Sequence, residues 1–187
     1  MIISFIGFMG CGKSSVGRKL SELLCCPFID LDTAIEEQTG RSIPEIFATD
    51  GETAFRQMEL DVLKSILINS SPSEFGELSA PQTPNLRMVL SLGGGAVMTP
   101  ECAELVKKNT LCIYLRTSVD TLVKRLSDEA AGRPLLQGAE LRDRIETLMV
   151  QRTEIYESTA HKIIETDGFT IEKLAEHIEM TLASILK

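Results

Sequence analysis

The run GFMGCGKS, residues 7–14, constrains this chain more than any other stretch. It follows an apolar, β-rich run, IISFI, and precedes VGRKLSELL, in which apolar residues return at helical spacing. Two glycines separated by four residues, followed by lysine and a hydroxyl residue, make a phosphate-loop pattern. Glycines let the backbone turn tightly and aim successive N–H groups inward, which forms a concave anion site. A helix opening at Lys13 adds the partial positive charge of its first amides to the same spot. The interruption between strand and helix therefore reads as a phosphate cradle. Its candidate nucleotide-binding residues are Gly10, Cys11, Gly12, Lys13, Ser14 and Ser15, with Lys13 on the β- and γ-phosphates and the Ser14 hydroxyl on Mg²⁺. The alternative is a glycine-rich turn that binds nothing, and the strand before it and helix after it weigh against that.

Beyond the cradle, β-rich apolar runs alternate with longer amphipathic stretches. Residues 1–6, 88–92, 111–115 and 162–165 read as strands, with 27–29 a weaker one. Helical patterns cover about 13–24, 32–38, 52–68, 100–107, 119–126, 140–159 and 170–186. This alternation predicts an α/β fold of three layers, α/β/α, around a parallel sheet of about five strands. A length of 187 residues suits one domain. Residues 69–87, NSSPSEFGELSAPQTPNLR, have no period and are rich in Ser, Pro, Glu and Gly, so they read as a mobile surface insertion.

Bulk chemistry removes several classes of function. A formal net charge of −8 argues against broad attraction to nucleic acid or an anionic membrane surface, so any phosphate site must be local. No apolar run is long enough to span a bilayer, and no leader pattern opens the chain, which points to the cytoplasm. The five cysteines include no CxxC pair and read as free thiols in a reducing compartment. A guanine-reading switch protein would be expected to show Asn-Lys-x-Asp after a later strand, and the chain lacks it. The length is also short for an ATP-driven motor. A small kinase holding ATP and a small acceptor remains.

The acceptor side supplies further motifs. FIDLDTAIEEQTGRSIPEIFATDGETAFRQMEL carries Asp30, Asp32, Arg56 and Glu59, and VLSLGGGAVM ends a strand in three glycines. GRPLLQGAELRDRIETLMVQRTEIYESTA puts Arg133 in a loop and Arg152 on the helix after it. With the cradle, these motifs resemble shikimate kinases over residues 1 to about 160. The resemblance implies a phosphate-loop fold of the nucleoside-monophosphate-kinase type with a mobile lid at about 127–138. It also implies ATP as co-substrate, Mg²⁺ as cofactor, shikimate as acceptor and a monomer. Asp32 then matches the aspartate that holds the acceptor's ring hydroxyls and orients or deprotonates the attacking one. Arg56 and Arg152 match the arginines that clamp its carboxylate, and Gly94 a glycine whose N–H reaches it. Arg133 matches the lid arginine that closes on the phosphates, making Lys13, Asp32 and Arg133 the catalytic set. Asp30 matches the acidic residue near Mg²⁺, acting through water beside Ser14.

Elementary chemistry supports these matches. Guanidinium forks fix a small carboxylate with two parallel charge-assisted hydrogen bonds, which lysine cannot do. An aspartate accepts from two neighbouring hydroxyls at once. Glu59, one turn after Arg56, is spaced to orient that arginine. Near the last strand, TDGFT lacks a basic residue for adenine, leaving backbone atoms or simple packing for the base. His161 and His177 carry no partner pattern. Two other readings stand beside the first: a kinase for another small metabolite such as gluconate or a nucleoside monophosphate, and a nucleotide-binding regulator without catalysis.

Overall fold

β1 (Ile2–Ile6) is buried from end to end, and its side chains alternate between two apolar layers. Ile3 and Phe5 enter one layer with residues of α1 (Lys13–Leu23) and α8 (Ile171–Ile185). Ile2 and Ile6 enter the other with residues of α2 (Leu31–Thr39) and α4 (Gly51–Asn69). A strand packed on both faces must be apolar at every position, which is why IISFI shows no polar alternation. Its one polar side chain, Ser4, is satisfied by Thr110 Oγ1 at 2.6 Å. The computed structural model describes residues 1–69, 86, 88–127 and 141–185.

The remaining strands are β2 (Phe28–Asp30), β3 (Met88–Ser91), β4 (Leu111–Arg116) and β5 (Lys162–Glu165). All pairings are parallel, in the order β2-β3-β1-β4-β5. The expected five-stranded parallel sheet between helical layers is the observed one. From β1 the chain runs out to β2, returns through β3, then crosses to β4 on the other side. Parallel sheets bind ligands outside the carboxyl ends of their strands where the winding reverses, and here that point lies between β1 and its neighbours. Phe5 pairs with Ser91, and Leu92 N–H donates to the Phe5 carbonyl at 3.1 Å. That register sets the three glycines after β3 beside the loop after β1.

Helix α3 (Ile43–Thr49) is absent from the sequence expectation, although its start is chemically marked. Ser42 and Glu45 form a reciprocal capping box, and Pro44 occupies the first turn. The other helices are α5 (Pro100–Asn109), α6 (Val119–Leu126) and α7 (Leu141–Thr159). Their ends lie within about two residues of those expected. No described helix is long and apolar enough to cross a membrane. The expected insertion 69–87, apart from Asn69 and Leu86, and the expected lid after Ser127, with Arg133, lie outside the described residues.

Candidate active site

The cradle owes its shape to glycines in left-handed backbone, Gly10 at φ 78° and Gly12 at φ 99°. Lys13 opens α1 and is buried; its Nζ donates to the carbonyls of Gly7 and Phe8, both at 3.0 Å, and lies 3.8 Å from Cys11 Sγ. The ammonium is therefore held over the loop by neutral acceptors, a position from which phosphate oxygens could take it. Ser14 and Ser15 are exposed at the mouth. Ser14 Oγ donates to Asp30 Oδ2 at 2.6 Å and lies 3.3 Å from Ser91 Oγ.

Asp30 has a second task that the sequence reading did not assign. Its Oδ1 accepts from the backbone N–H groups of Asp32 at 3.1 Å and Thr33 at 3.4 Å, capping α2. One carboxylate thus fixes the helix that carries Asp32 and touches the Ser14 hydroxyl. Hard oxygen donors of this kind suit Mg²⁺, which takes one or two protein groups and completes its shell with phosphate and water. Among the described residues no three His, Cys, Asp or Glu side chains cluster for a metal, so the donor set fits an ion held largely by a nucleotide.

Cradle residues, Asp30, Asp32 and Gly94 line one cleft of about 490 Å³, together with Arg125, Phe169 and Ile171. The sequence reading missed these last three. Arg125 NH1 donates to the Gly10 carbonyl at 3.2 Å, and Phe169 is 40% exposed with its ring 5.6 Å from that of His177. A cationic fork and an aromatic face at one mouth can stack a flat base. The sequence signal was an aromatic residue in an otherwise polar turn.

On the acceptor side, each glycine of the triplet abuts a different group. A Cβ at Gly93 would lie 2.7 Å from Asp32 Oδ1 and 2.8 Å from Glu59 Oε1. At Gly94 it would lie 3.1 Å from the Met9 nitrogen, and at Gly95 2.8 Å from the Arg56 Cζ. Arg152 NH1 donates to the Gly94 carbonyl at 3.3 Å. Arg56 on α4 and Arg152 on α7, far apart in sequence, are therefore brought against adjacent residues of one loop. Neither lines the cleft itself; both stand against the triplet, whose Gly94 does line it.

The two arginines differ in how their charge is met. Arg56 donates to Glu59 and, at 3.0 Å, to Glu52. Burial works against its charge, yet these carboxylates outweigh burial and hold its pKa above the ordinary arginine value. Arg152 is 6% exposed, faces the Phe8 ring at 5.8 Å and has no ion-pair partner among the described residues. Glu59, 1% exposed, leaves Oε1 without a hydrogen-bond partner there, and burial pushes its pKa up to about 7 against the pull of Arg56. Burial, then repulsion from Asp30, raises the Asp32 carboxyl, while Lys13 and Arg56 pull it back.

Comparisons with known proteins agree on one family. The family model for shikimate kinase matches residues 9–72 and 75–183. A shikimate kinase of Thermus thermophilus is 38% identical over 176 residues, covering 94% of this chain and 86% of that protein. A shikimate kinase from Acinetobacter baumannii, solved in complex with shikimate, superposes with a TM-score of 0.84 at 33% identity, covering 98% of this chain and 93% of that one. A gluconokinase from Sinorhizobium meliloti has a TM-score of only 0.52 at 14% identity, which is likeness of fold alone. With the matched residues spanning nearly the whole sequence, the chain belongs to the shikimate kinase family.

Proposed function

We propose that this protein transfers the γ-phosphoryl group of ATP to the 3-hydroxyl of shikimate, giving shikimate 3-phosphate and ADP on the route to chorismate and the aromatic amino acids. The observation that carries the reading is Arg152, a buried cation with no carboxylate partner among the described residues, held by the neutral Tyr156 hydroxyl and by the Gly94 carbonyl of the glycine loop that also packs against Arg56. A buried charge without a counter-ion is costly, and a small carboxylate placed there would lower that cost. Membership of the family adds ATP as the donor.

In this reading the cradle amides, Lys13 and Ser14 hold the nucleotide phosphates, with the base between Arg125 and Phe169. Arg56 and Arg152 take the acceptor carboxylate, and the Gly94 N–H adds a contact. Asp32, at the inner end of the cleft, accepts from the ring hydroxyls. Its raised pKa favours taking the proton from the attacking 3-hydroxyl as the phosphoryl group arrives. For a loose transition state, alignment and charge neutralisation supply most of the rate. Ser14 and Asp30 would hold Mg²⁺, Asp30 through water, and the bound ion supplies positive charge to the β- and γ-phosphate oxygens.

The test is ADP release with shikimate, gluconate and nucleoside monophosphates supplied in turn, with the product identified by phosphorus NMR. Turnover with shikimate alone, phosphorylated at the 3-position, is the expected result. Turnover with gluconate alone would replace the acceptor, and nucleotide binding without turnover on any of them would favour a regulator.

A further inference from the structure

Tyr156 lies one turn beyond Arg152 on α7 and is fully buried, its ring 5.0 Å from that of Tyr114 on β4. Its hydroxyl donates to the Gly94 carbonyl, the same oxygen that Arg152 NH1 reaches at 3.3 Å, and its own oxygen lies within hydrogen-bond reach of the Arg152 side chain. The Gly94 backbone is also confined at its Cα, where a Cβ would come 3.1 Å from the Met9 nitrogen of the cradle. A carbonyl oxygen has two lone pairs, and here they are shared unequally in kind: one neutral donor locked by ring packing, and one charged donor at the long end of the hydrogen-bond range.

We infer that Tyr156 is a positioning residue for the acceptor: by holding the Gly94 carbonyl, it leaves the Arg152 guanidinium free to present its remaining N–H groups to the acceptor carboxylate. This rests on the proposed acceptor site. Without the hydroxyl, a half-buried carbonyl would have Arg152 as its remaining described donor, and the arginine would be drawn onto it in competition with the ligand. The peptide is planar, so the Gly94 carbonyl and the Gly95 N–H point in opposite directions, and the same hydroxyl also fixes where that N–H is aimed.

Tyr156→Phe removes a single oxygen and keeps the ring stack. Calorimetric titration of shikimate and of ATP, with steady-state kinetics on the full chain, is expected to show shikimate Kd and KM raised about tenfold, with ATP Kd and kcat changed less than about threefold. In an Arg152→Ala background, Tyr156→Phe should weaken shikimate binding by less than about twofold, because the group it positions is gone. Unchanged shikimate binding would overturn the inference. So would equal weakening of ATP and shikimate, loss of both through misfolding, or a full tenfold effect in the Arg152→Ala background, since each describes a merely structural tyrosine. The wild-type arm separates the two readings: failure of the unmodified protein to bind shikimate would remove the acceptor itself, whereas failure confined to the variants would remove only the role of Tyr156.

Discussion

The proposed nucleotide cradle and the proposed acceptor pocket are built in opposite ways. The cradle is one contiguous stretch whose cation, Lys13, is held by the carbonyls of its own loop. The acceptor pocket draws Asp32, Arg56, Glu59, Gly94 and Arg152 from four separate parts of the fold, gathered by the glycines after β3. In the cradle every described charge has an acceptor nearby, but in the acceptor pocket the charges are unevenly met. Among the described residues Arg56 is tied to two glutamates, while Arg152 meets only neutral groups, the Gly94 carbonyl and the Tyr156 hydroxyl, and Glu59 Oε1 has no hydrogen-bond partner. A loop folded by local glycine conformations can be complete before ligand arrives. A pocket assembled across the sheet can keep part of its electrostatics unsatisfied, and in the proposed function the acceptor completes it.

If the two regions are separable in this way, the largest effect comes from the cradle. Lys13→Met should lower kcat about a thousandfold by removing charge where the transferring group gathers it, while shikimate Kd, read by calorimetry, stays within about twofold. Equal loss of shikimate binding would erase the distinction. Next in size is the contrast between the arginines. Arg152→Met should raise shikimate KM about a hundredfold, from about 3 kcal/mol for a buried charged contact, without lowering the melting temperature of the ligand-free protein. Arg56→Met should instead lower the melting temperature, because it leaves Glu59 buried without its cation. Differential scanning calorimetry on both variants checks the pair.

A smaller effect is expected from Gly95→Ala, whose methyl group would meet the Arg56 guanidinium. Shikimate KM should rise about tenfold, with ATP KM unchanged, as overpacking displaces one fork of the clamp. The smallest concerns pH. Glu59 ordinarily titrates near 4.5 and in the folded protein near 7, so between these values the folded state binds more protons than the unfolded chain. Its contribution to stability is therefore full below about pH 4.5 and is lost as pH rises through about 7. Glu59→Gln should flatten that part of the melting-temperature profile.

The same contrast explains what could be read from the sequence. β1, the cradle and α1 are legible because glycine pattern, apolar run and helical spacing are all local, and α6 at Val119–Leu126 matches its expected bounds for the same reason. Glu59 could be paired with Arg56 because both lie one turn apart on a single helix. Helix α3 was missed because seven residues give too little periodicity, although its capping box and proline were visible. Asp30 could be placed near Mg²⁺ by resemblance, but its capping of α2 depends on where β2 stops. Arg125 and Phe169 were missed because their partners, Gly10 and His177, are brought to them by packing rather than by sequence pattern. Tyr156 reads as one more buried aromatic until the Gly94 carbonyl is seen beneath its hydroxyl.

The central claim is that Arg56 and Arg152 bind one carboxylate beside the nucleotide cradle. A thermodynamic cycle tests it most directly: calorimetric affinities of shikimate and its uncharged methyl ester for the wild type and for Arg152→Met, with ADP present. If the guanidinium and the carboxylate meet, esterification should weaken binding to the wild type by about a hundredfold and to the variant by clearly less, about tenfold, since Arg56 alone remains to meet the carboxylate. Equal loss in both proteins would mean that the carboxylate lies elsewhere, and the acceptor pocket described above would be wrong.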